Sequence, residues 1–257
     1  MSNKKIYLNS NEHNFDLRFQ ENIMLCNYAR SNNFNFCSMM GGPESIRDLQ
    51  EAKNLFADAF EFPMIESLFA LEKIFLAIEK VFIEDNYTLD SKEIFINISS
   101  TDGLNFIDKV NLIKLPPFVN YKNLIFNFDR RSIIKSLGLV KDNNFEIADF
   151  EKKINSLIKS KVDFLQTNSF RVCISGGITE NSLKYLNSIN LKPNFIKTGL
   201  FTIPIDQFND SLYYKVFELQ KLEVKIISLV NKCLLDKHDY LKIREKHLQN
   251  YISSKNL

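Results

Sequence analysis

Glu66 is the residue whose type and position best suit chemistry in this sequence. It lies in residues 41–75, where the pattern is that of a loop, a helix, a strand, a turn and a second helix, and it follows the apolar run of that strand. Enzymes built on a β/α barrel place their catalytic residues at the carboxyl ends of the strands. Glu66 is therefore a candidate general base, metal ligand or hydrogen-bond acceptor for a substrate. An acidic residue at a helix N-terminus also gains about 0.3–1 kcal/mol from the helix dipole, which is the alternative explanation.

Two pairs of glycines each follow an apolar run and precede a predicted helix. Gly41 and Gly42 form the first pair, and Gly176 and Gly177 form the second. Backbone N–H groups in such a loop approach an anion closely, and the helix dipole adds to the attraction. Either loop is a candidate site for a carboxylate or a phosphate, although glycine also permits a tight turn with no ligand.

Charged residues follow the apolar run LIFNF at residues 124–128. At least one of Arg130 and Arg131 should reach the rim of a barrel there, where a guanidinium can bind a carboxylate or phosphate through two hydrogen bonds. Asp129 beside them is either a metal ligand or the partner of an arginine.

Short apolar runs alternate with amphipathic segments of helical length along most of the chain, which is typical of βα units in a parallel sheet. The number of runs, and the lack of a GxGxxG motif after the first one, favour a closed barrel over an open sheet. We predict an α/β fold, a TIM (β/α)8 barrel with extra C-terminal helices. The predicted strands are residues 6–8, 34–39, 59–64, 94–98, 124–128, 171–174 and 194–197, with weaker candidates at 112–115 and 162–165.

A length of 257 residues with 45% hydrophobic and 25% charged content describes an ordinary globular chain. One barrel needs about 250 residues, so we predict a single domain over residues 1–257. Residues 206–257 carry no strand pattern and are predicted as a C-terminal helical extension. Such helices pack on the barrel or on a second subunit, so a homo-oligomer formed through them is a candidate assembly.

Several classes of protein do not suit this composition. A net charge of +2 gives no strong footprint for nucleic acid, and four dispersed cysteines and three histidines form no zinc pattern. No apolar run suits a signal peptide or a membrane span. We therefore expect a cytoplasmic protein that binds neither nucleic acid nor membrane. Cys37 and Cys173 lie in strand-like runs and should be buried thiols.

The residues above resemble the HpcH/HpaI aldolase and citrate lyase β-subunit family of the phosphoenolpyruvate/pyruvate superfamily, over roughly residues 34–202. The similar segments are GGPE at 41–44 with Asp48, FPMIES at 62–67, Arg130 with SLGL at 136–139, and GGIT at 176–179. The resemblance implies a TIM barrel that acts on a small oxo-acid. It also implies cleavage or formation of a carbon-carbon bond at a divalent metal ion.

The same resemblance implies that the metal ligands are changed. The family takes one carboxylate from an NIET-like segment and one from a GRxDLSxSLG-like segment, and these positions correspond to Ser99 and Ser132. Met39 replaces the basic residue before Gly-Gly, and residues 197–199, KTG, replace an ETR segment. Neutral hydroxyls are poor ligands for a hard dication. We predict no metal at the usual site, and the alternative is a shifted Mg²⁺ or Mn²⁺ site at Glu66 and Asp129.

The leading hypothesis is a divergent aldolase-like barrel that binds a small oxo-acid, free or phosphorylated, and is a carbon-carbon lyase if it is catalytic. One alternative is an inactive barrel that senses a ligand or scaffolds a partner, and another is a barrel that acts on a sugar phosphate. Glu66 and Arg130 are the candidate catalytic residues. The candidate substrate-binding residues are Gly41, Gly42, Ser99, Ser132, Gly176 and Gly177.

Overall fold

Eight strands close into one barrel in the computed structural model, which describes residues 6–10, 19–84, 89, 91–138, 148–233, 246, 248–250 and 252–253. Each strand pairs with the next one in chain order, and the last strand pairs with the first. The predicted closed barrel is thus confirmed. The strands are β1 (Tyr7–Asn9), β2 (Asn35–Met39), β3 (Ala59–Phe62), β4 (Glu93–Ile98), β5 (Leu124–Asp129), β6 (Arg171–Ser175), β7 (Phe195–Thr198) and β8 (Phe201–Pro204).

The last strand differs from that of a regular (β/α)8 barrel. Strands β1 to β7 run parallel to one another, whereas β8 is antiparallel to both β7 and β1. Only Gly199 and Leu200 connect β7 to β8, so no helix fits between them. A hairpin strand therefore completes the barrel in place of an eighth βα unit.

Helices cover the outside of the barrel. They are α1 (Phe19–Ser31), α2 (Ile46–Asn54), α3 (Leu68–Ile78), α4 (Thr101–Ile107), α5 (Arg130–Ser136), α6 (Ala148–Thr167), α7 (Glu180–Ser188) and α8 (Asp210–Cys233). The weak strand candidates at 112–115 and 162–165 were wrong, because a 3₁₀ turn ends at Leu112 with no strand over 113–115, and residues 162–165 lie in helix α6. No helix in the described ranges is both long enough and apolar enough to cross a membrane.

The amino-terminal half of the barrel interior is filled by apolar and aromatic side chains, all of them buried. Cys37 and Cys173 are in this layer, and burial raises the pKa of both thiols well above its usual range, with the charge of Glu61 adding to the effect. Both cysteines are therefore neutral packing groups. The members of the layer are Tyr7, Cys37, Ala59, Phe95, Ile125, Cys173 and Phe195.

Helix α8 is fixed to the turn between β7 and β8. Gln220 Nε2 donates to Thr198 Oγ1 at 2.9 Å and to the carbonyl of Ile178 at 3.1 Å. Glu223 is fully buried, and its carboxylate lies against Gly199, where a Cβ would stand 2.1 Å from Oε2. The helix therefore holds the turn that lets β8 close the barrel.

Replacing Gly199 by alanine should lower the free energy of unfolding by about 3 kcal/mol, measured by urea denaturation. The backbone of Gly199 has φ +56°, and its added methyl group would overlap the Glu223 carboxylate. Gly138→Ala is the matched control, since Gly138 has φ +65° with no atom within 4 Å of the new Cβ. We expect the free energy of unfolding to fall by only about 1 kcal/mol in Gly138→Ala, from the cost of the backbone conformation alone. Equal losses in the two variants would contradict a steric role for Glu223.

Candidate functional site

A buried polar layer lies inside the barrel, above the apolar layer. Lys197 Nζ lies 2.7 Å from both carboxylate oxygens of Glu61, and their side chains are 8% and 1% exposed. Asn97 Nδ2 donates to Glu61 Oε1 at 2.8 Å, and Asn127 Nδ2 donates to Asn97 Oδ1 at 2.7 Å. The amide oxygen of Asn127 is buried and has no hydrogen-bond partner within the described residues.

These four residues were missed as site candidates, although the sequence contains a signal for them. Each is a charged or amide residue that directly follows two or more apolar residues of its strand: Glu61 in AFEF, Asn97 in EIFINI, Asn127 in LIFNFD and Lys197 in FIKT. Side chains alternate between the two faces of a strand, and an isolated polar residue in a strand of a closed barrel marks the interior face.

Glu66 lies at the carboxyl-terminal rim, between β3 and α3, and it is exposed. Its Oε1 accepts a hydrogen bond from the hydroxyl of Ser100, which follows β4. The Ser100 hydroxyl also accepts from the backbone N–H of Gly103 at 3.1 Å and so caps α4. The Glu66 carboxylate therefore joins two neighbouring strand ends at the rim and remains open to solvent.

Asp129 and Ser132 serve the start of α5. Asp129 is the N-cap residue, and its Oδ1 accepts from the backbone N–H groups of Arg131 at 3.1 Å and Ser132 at 3.3 Å. The hydroxyl of Ser132 donates to Asp129 Oδ2 at 2.8 Å. Both oxygens of this carboxylate are thus engaged in the cap.

The residues at the implied metal positions do not fit a divalent cation. Ser99 and Ser132 offer hydroxyls where carboxylates would be needed. For the shifted site, Asp129 is already engaged at both oxygens and Glu66 accepts from Ser100. Among the described residues, no group of three histidine, cysteine or acidic side chains lies close enough to hold a metal ion. Neither the usual positions nor the shifted ones therefore supply the set of ligands that a divalent cation needs.

Arg130 does not lie at the mouth, where the sequence had placed it as a catalytic residue. It is 2% exposed, because β5 extends to Asp129 and the next side chain turns outward, towards α6. Its guanidinium donates to the backbone carbonyls of Ser175 at 3.3 Å and of Gly176 and Gly177 at 3.2 Å each, and it contacts Asn155 Oδ1 at 3.5 Å. Arg130 is a positioning residue for the loop after β6.

The contacts of Arg130 orient that loop. None of the described peptide bonds is cis, and the carbonyl and the following N–H point in opposite directions across a trans peptide. Because three successive carbonyls face Arg130, the N–H groups of Gly176, Gly177 and Ile178 are turned away from it. Positive φ values of 80° and 75° at the two glycines permit this geometry. Successive N–H groups of this kind form a concave site for an anion.

Arg131 supplies a positive charge beside the same loop. Its guanidinium lies so close to Gly177 that a Cβ on that glycine would stand 2.8 Å from Nε. Arg131 is half-buried, and no carboxylate among the described residues forms an ion pair with it. Of the two adjacent arginines, Arg131 is therefore the one placed for a ligand.

The loop at Gly41 and Gly42 is built differently. The backbone N–H of Gly41 donates to Asp48 Oδ2 at 2.7 Å, so a carboxylate of the chain itself already occupies this position. That negative charge would repel an anionic ligand. The sequence did not distinguish the two glycine pairs. A carboxylate also lies beside the second pair, since a Cβ on Gly176 would stand 2.5 Å from Asp129 Oδ1, but that oxygen accepts two backbone N–H groups of α5, and the guanidinium of Arg131 lies beside Gly177. The pair at Gly176 and Gly177 is therefore the better anion site.

Neither a protein-family model nor a curated protein sequence matches this chain. Solved structures do match. An HpcH/HpaI aldolase/citrate lyase family protein from Burkholderia cenocepacia J2315 has a TM-score of 0.55 at 9% identity, covering 86% of this chain and 84% of its own. Citrate synthase SbnG has a TM-score of 0.52 at 11% identity, covering 85% and 82%. A Haloferax volcanii malate synthase has a TM-score of 0.58 at 9% identity, covering 95% and 78%. The resemblance is thus confirmed at the level of the fold, and the chain has the barrel fold of the HpcH/HpaI aldolases.

Proposed function

We propose that this chain binds a small oxo-acid at the carboxyl-terminal mouth of the barrel. The observation that carries the proposal is the loop at residues 176–178, whose carbonyls bind Arg130 on one side while the guanidinium of Arg131 lies beside Gly177. We infer that the N–H groups of this loop face the mouth. Three backbone donors and one planar cation suit the carboxylate of such a ligand. A phosphate would meet the same donors, so a sugar phosphate is the competing ligand.

The remainder of an oxo-acid would face the polar layer. A ligand held at the loop places its carbonyl group over Lys197 and Asn127, which are buried and polar, while Glu66 and Ser100 line the rim nearby. Such surroundings favour a change of charge at the carbonyl, which any cleavage of the adjacent carbon-carbon bond requires. Carbon-carbon lyase chemistry is therefore the activity that we propose if the protein turns over.

Thermal shift and calorimetry with a panel of ligands test this proposal. The panel contains pyruvate, oxaloacetate, glyoxylate and several sugar phosphates, each measured in EDTA and then with Mg²⁺ or Mn²⁺. We expect an oxo-acid to bind and to raise Tm in EDTA, since a ligand that binds only the folded state stabilises it. Binding of sugar phosphates alone would overturn the proposal. Stabilisation that needs the metal would support the shifted site at Glu66 and Asp129.

Replacing Arg131 by glutamine should weaken oxo-acid binding by about tenfold to a hundredfold, since hydrogen bonds to a charged group contribute about 1.5–3 kcal/mol. Stability should change little, because this guanidinium has no carboxylate partner among the described residues. Arg47→Gln is the matched control, as it removes the same charge from a side chain that is 87% exposed on α2. Unchanged Kd in Arg131→Gln, measured by calorimetry, would remove Arg131 from the site.

A further inference from the structure

Lys197 lies inside the barrel directly beside the anion loop. The parallel register pairs Cys173 with Phe195 and Ile174 with Ile196, so Ser175 and Lys197 are the next residues on the two strands. Neighbouring strands are about 4.8 Å apart, and Gly176 follows Ser175 at once. A carboxylate bound at the N–H groups of the loop would therefore hold the carbonyl carbon of a 2-oxo acid, one bond away, next to this lysine.

The ion pair of Lys197 with Glu61 has no evident structural purpose. Removing two charges from water is costly, and packed apolar side chains usually fill the interior of such a barrel. They do fill the layer immediately below, which contains Phe195 two residues before Lys197 on the same strand. A carboxylate within hydrogen-bond distance of a buried amine is, in contrast, placed to act as the general base that takes a proton from the ammonium before the amine attacks a carbonyl.

We propose that Lys197 forms an imine with the carbonyl carbon of the bound 2-oxo acid. This inference rests on the proposed function, and it names the group that reacts. The ammonium proton moves from Lys197 Nζ to a Glu61 oxygen, 2.7 Å away, which leaves a neutral amine. Nζ then bonds to the carbonyl carbon, and an amine proton passes to the carbonyl oxygen, giving a carbinolamine.

Loss of water completes the step. The Glu61 carboxyl returns its proton to the carbinolamine hydroxyl, the carbon-oxygen bond breaks, and water leaves. The product is an iminium on Lys197 beside the restored Glu61 carboxylate, so one positive charge is present before and after and nothing is oxidised or reduced. The iminium then withdraws electrons from the neighbouring carbon-carbon bond, which is the role that a metal ion would otherwise fill.

The two asparagines support this chemistry in different ways. Asn97 donates to Glu61 Oε1 at 2.8 Å and is a positioning residue for the carboxylate. Asn127 has a buried amide oxygen without a partner in the described part of the chain, and this oxygen can accept the hydroxyl of the carbinolamine. The unpaired acceptor is the second observation, beside the ion pair, that points to a ligand at this place.

Reductive trapping tests the proposal on the full chain. The protein is incubated with pyruvate and sodium cyanoborohydride in EDTA, the intact mass is measured, and the modified peptide is mapped. We expect a single reduced pyruvate adduct, on Lys197. The adduct should be absent in Lys197→Arg, which keeps the charge but forms no imine, and present in Lys135→Arg, which alters an exposed lysine of α5.

Each outcome separates this inference from the proposed function. Pyruvate that binds in calorimetry but leaves no adduct on Lys197 overturns the imine and leaves oxo-acid binding intact. Pyruvate that neither binds nor forms an adduct overturns both. Adducts spread over surface lysines, equally in Lys197→Arg, also overturn the imine. If Lys197→Arg fails to fold, mapping of the unmodified sequence alone decides between these results.

Discussion

Replacing Glu61 by leucine lowers the free energy of unfolding by about 3–5 kcal/mol, because Lys197 then stays buried without a counter-charge. Lys197→Met has a similar effect for the same reason, since Glu61 is 1% exposed. The double variant Glu61→Leu/Lys197→Met recovers most of the loss. It replaces two buried ions by apolar groups of similar volume, and the remaining deficit comes from Asn97, which also donates to Glu61. Urea denaturation of the four proteins measures the coupling.

An exposed ion pair provides the control for this cycle. Lys184 and Glu180 lie 2.7 Å apart on α7, with side chains 56% and 29% exposed, and removing either should cost less than about 0.5 kcal/mol. A double variant at Glu61 and Lys197 that is as unstable as the single ones would show that the pair contributes to folding. If it is as stable as the original chain but binds no oxo-acid, the pair is present for function.

The strands β1 to β7 could be predicted because each is an apolar run bounded by polar or turn residues, and an amphipathic helix follows most of them. Strand β8 could not be predicted from the sequence. It has four residues and ends in Pro204, and only Gly199 and Leu200 separate it from β7. Its ladder consists of antiparallel pairs with β7 and β1, and the pairing with β1 joins residues about 195 apart in sequence, as in Tyr7 with Thr202. Local pattern carries no information on such a contact.

The positions of Glu66 and of the loop at Gly176 and Gly177 could be predicted, because both follow strands whose carboxyl ends meet at one rim. The different roles of Arg130, which positions the loop, and Arg131, which lies beside it, could not be predicted. Asn127 faces the interior, and side chains alternate along β5, so residue 130 falls on the outer face of the barrel. The apolar run alone did not show which of its residues face the interior.

Burial decides the roles of the charged residues in this barrel more than their number does. The pairing of Glu61 with Lys197 joins residues 136 apart, and it places the strongest interior charges below the rim where carboxylates were sought. Ser99 follows the end of β4 and Ser132 lies in the first turn of α5, so the two implied ligand positions come after the carboxyl ends of their strands. The buried charged pair of this barrel therefore lies in the polar layer and not at the rim.

Replacing Arg130 by methionine should lower the free energy of unfolding by about 3–5 kcal/mol and also abolish oxo-acid binding. The substitution removes the donor of the carbonyls of Ser175 and Gly176 and leaves the Gly177 carbonyl with the hydroxyl of Ser182, and each buried group left unpaired costs about 1–3 kcal/mol. The loop would then relax, and the N–H groups that face the mouth would lose their common direction. Denaturation and calorimetry measure the two effects on the same preparation.

Two other arginines separate the stability effect from the binding effect. Arg30 donates to the carbonyls of Leu55 at 3.0 Å and Phe56 at 3.1 Å but is exposed, so Arg30→Met should cost less than about 1 kcal/mol and leave binding unchanged. Arg131→Gln should lose binding and keep stability. Only Arg130 should lose both, because it acts on the ligand through the backbone that it orients. Normal oxo-acid affinity in a folded Arg130→Met protein would mean that the loop takes its shape from its glycines alone, and Arg131 would then be the only charge that the site requires.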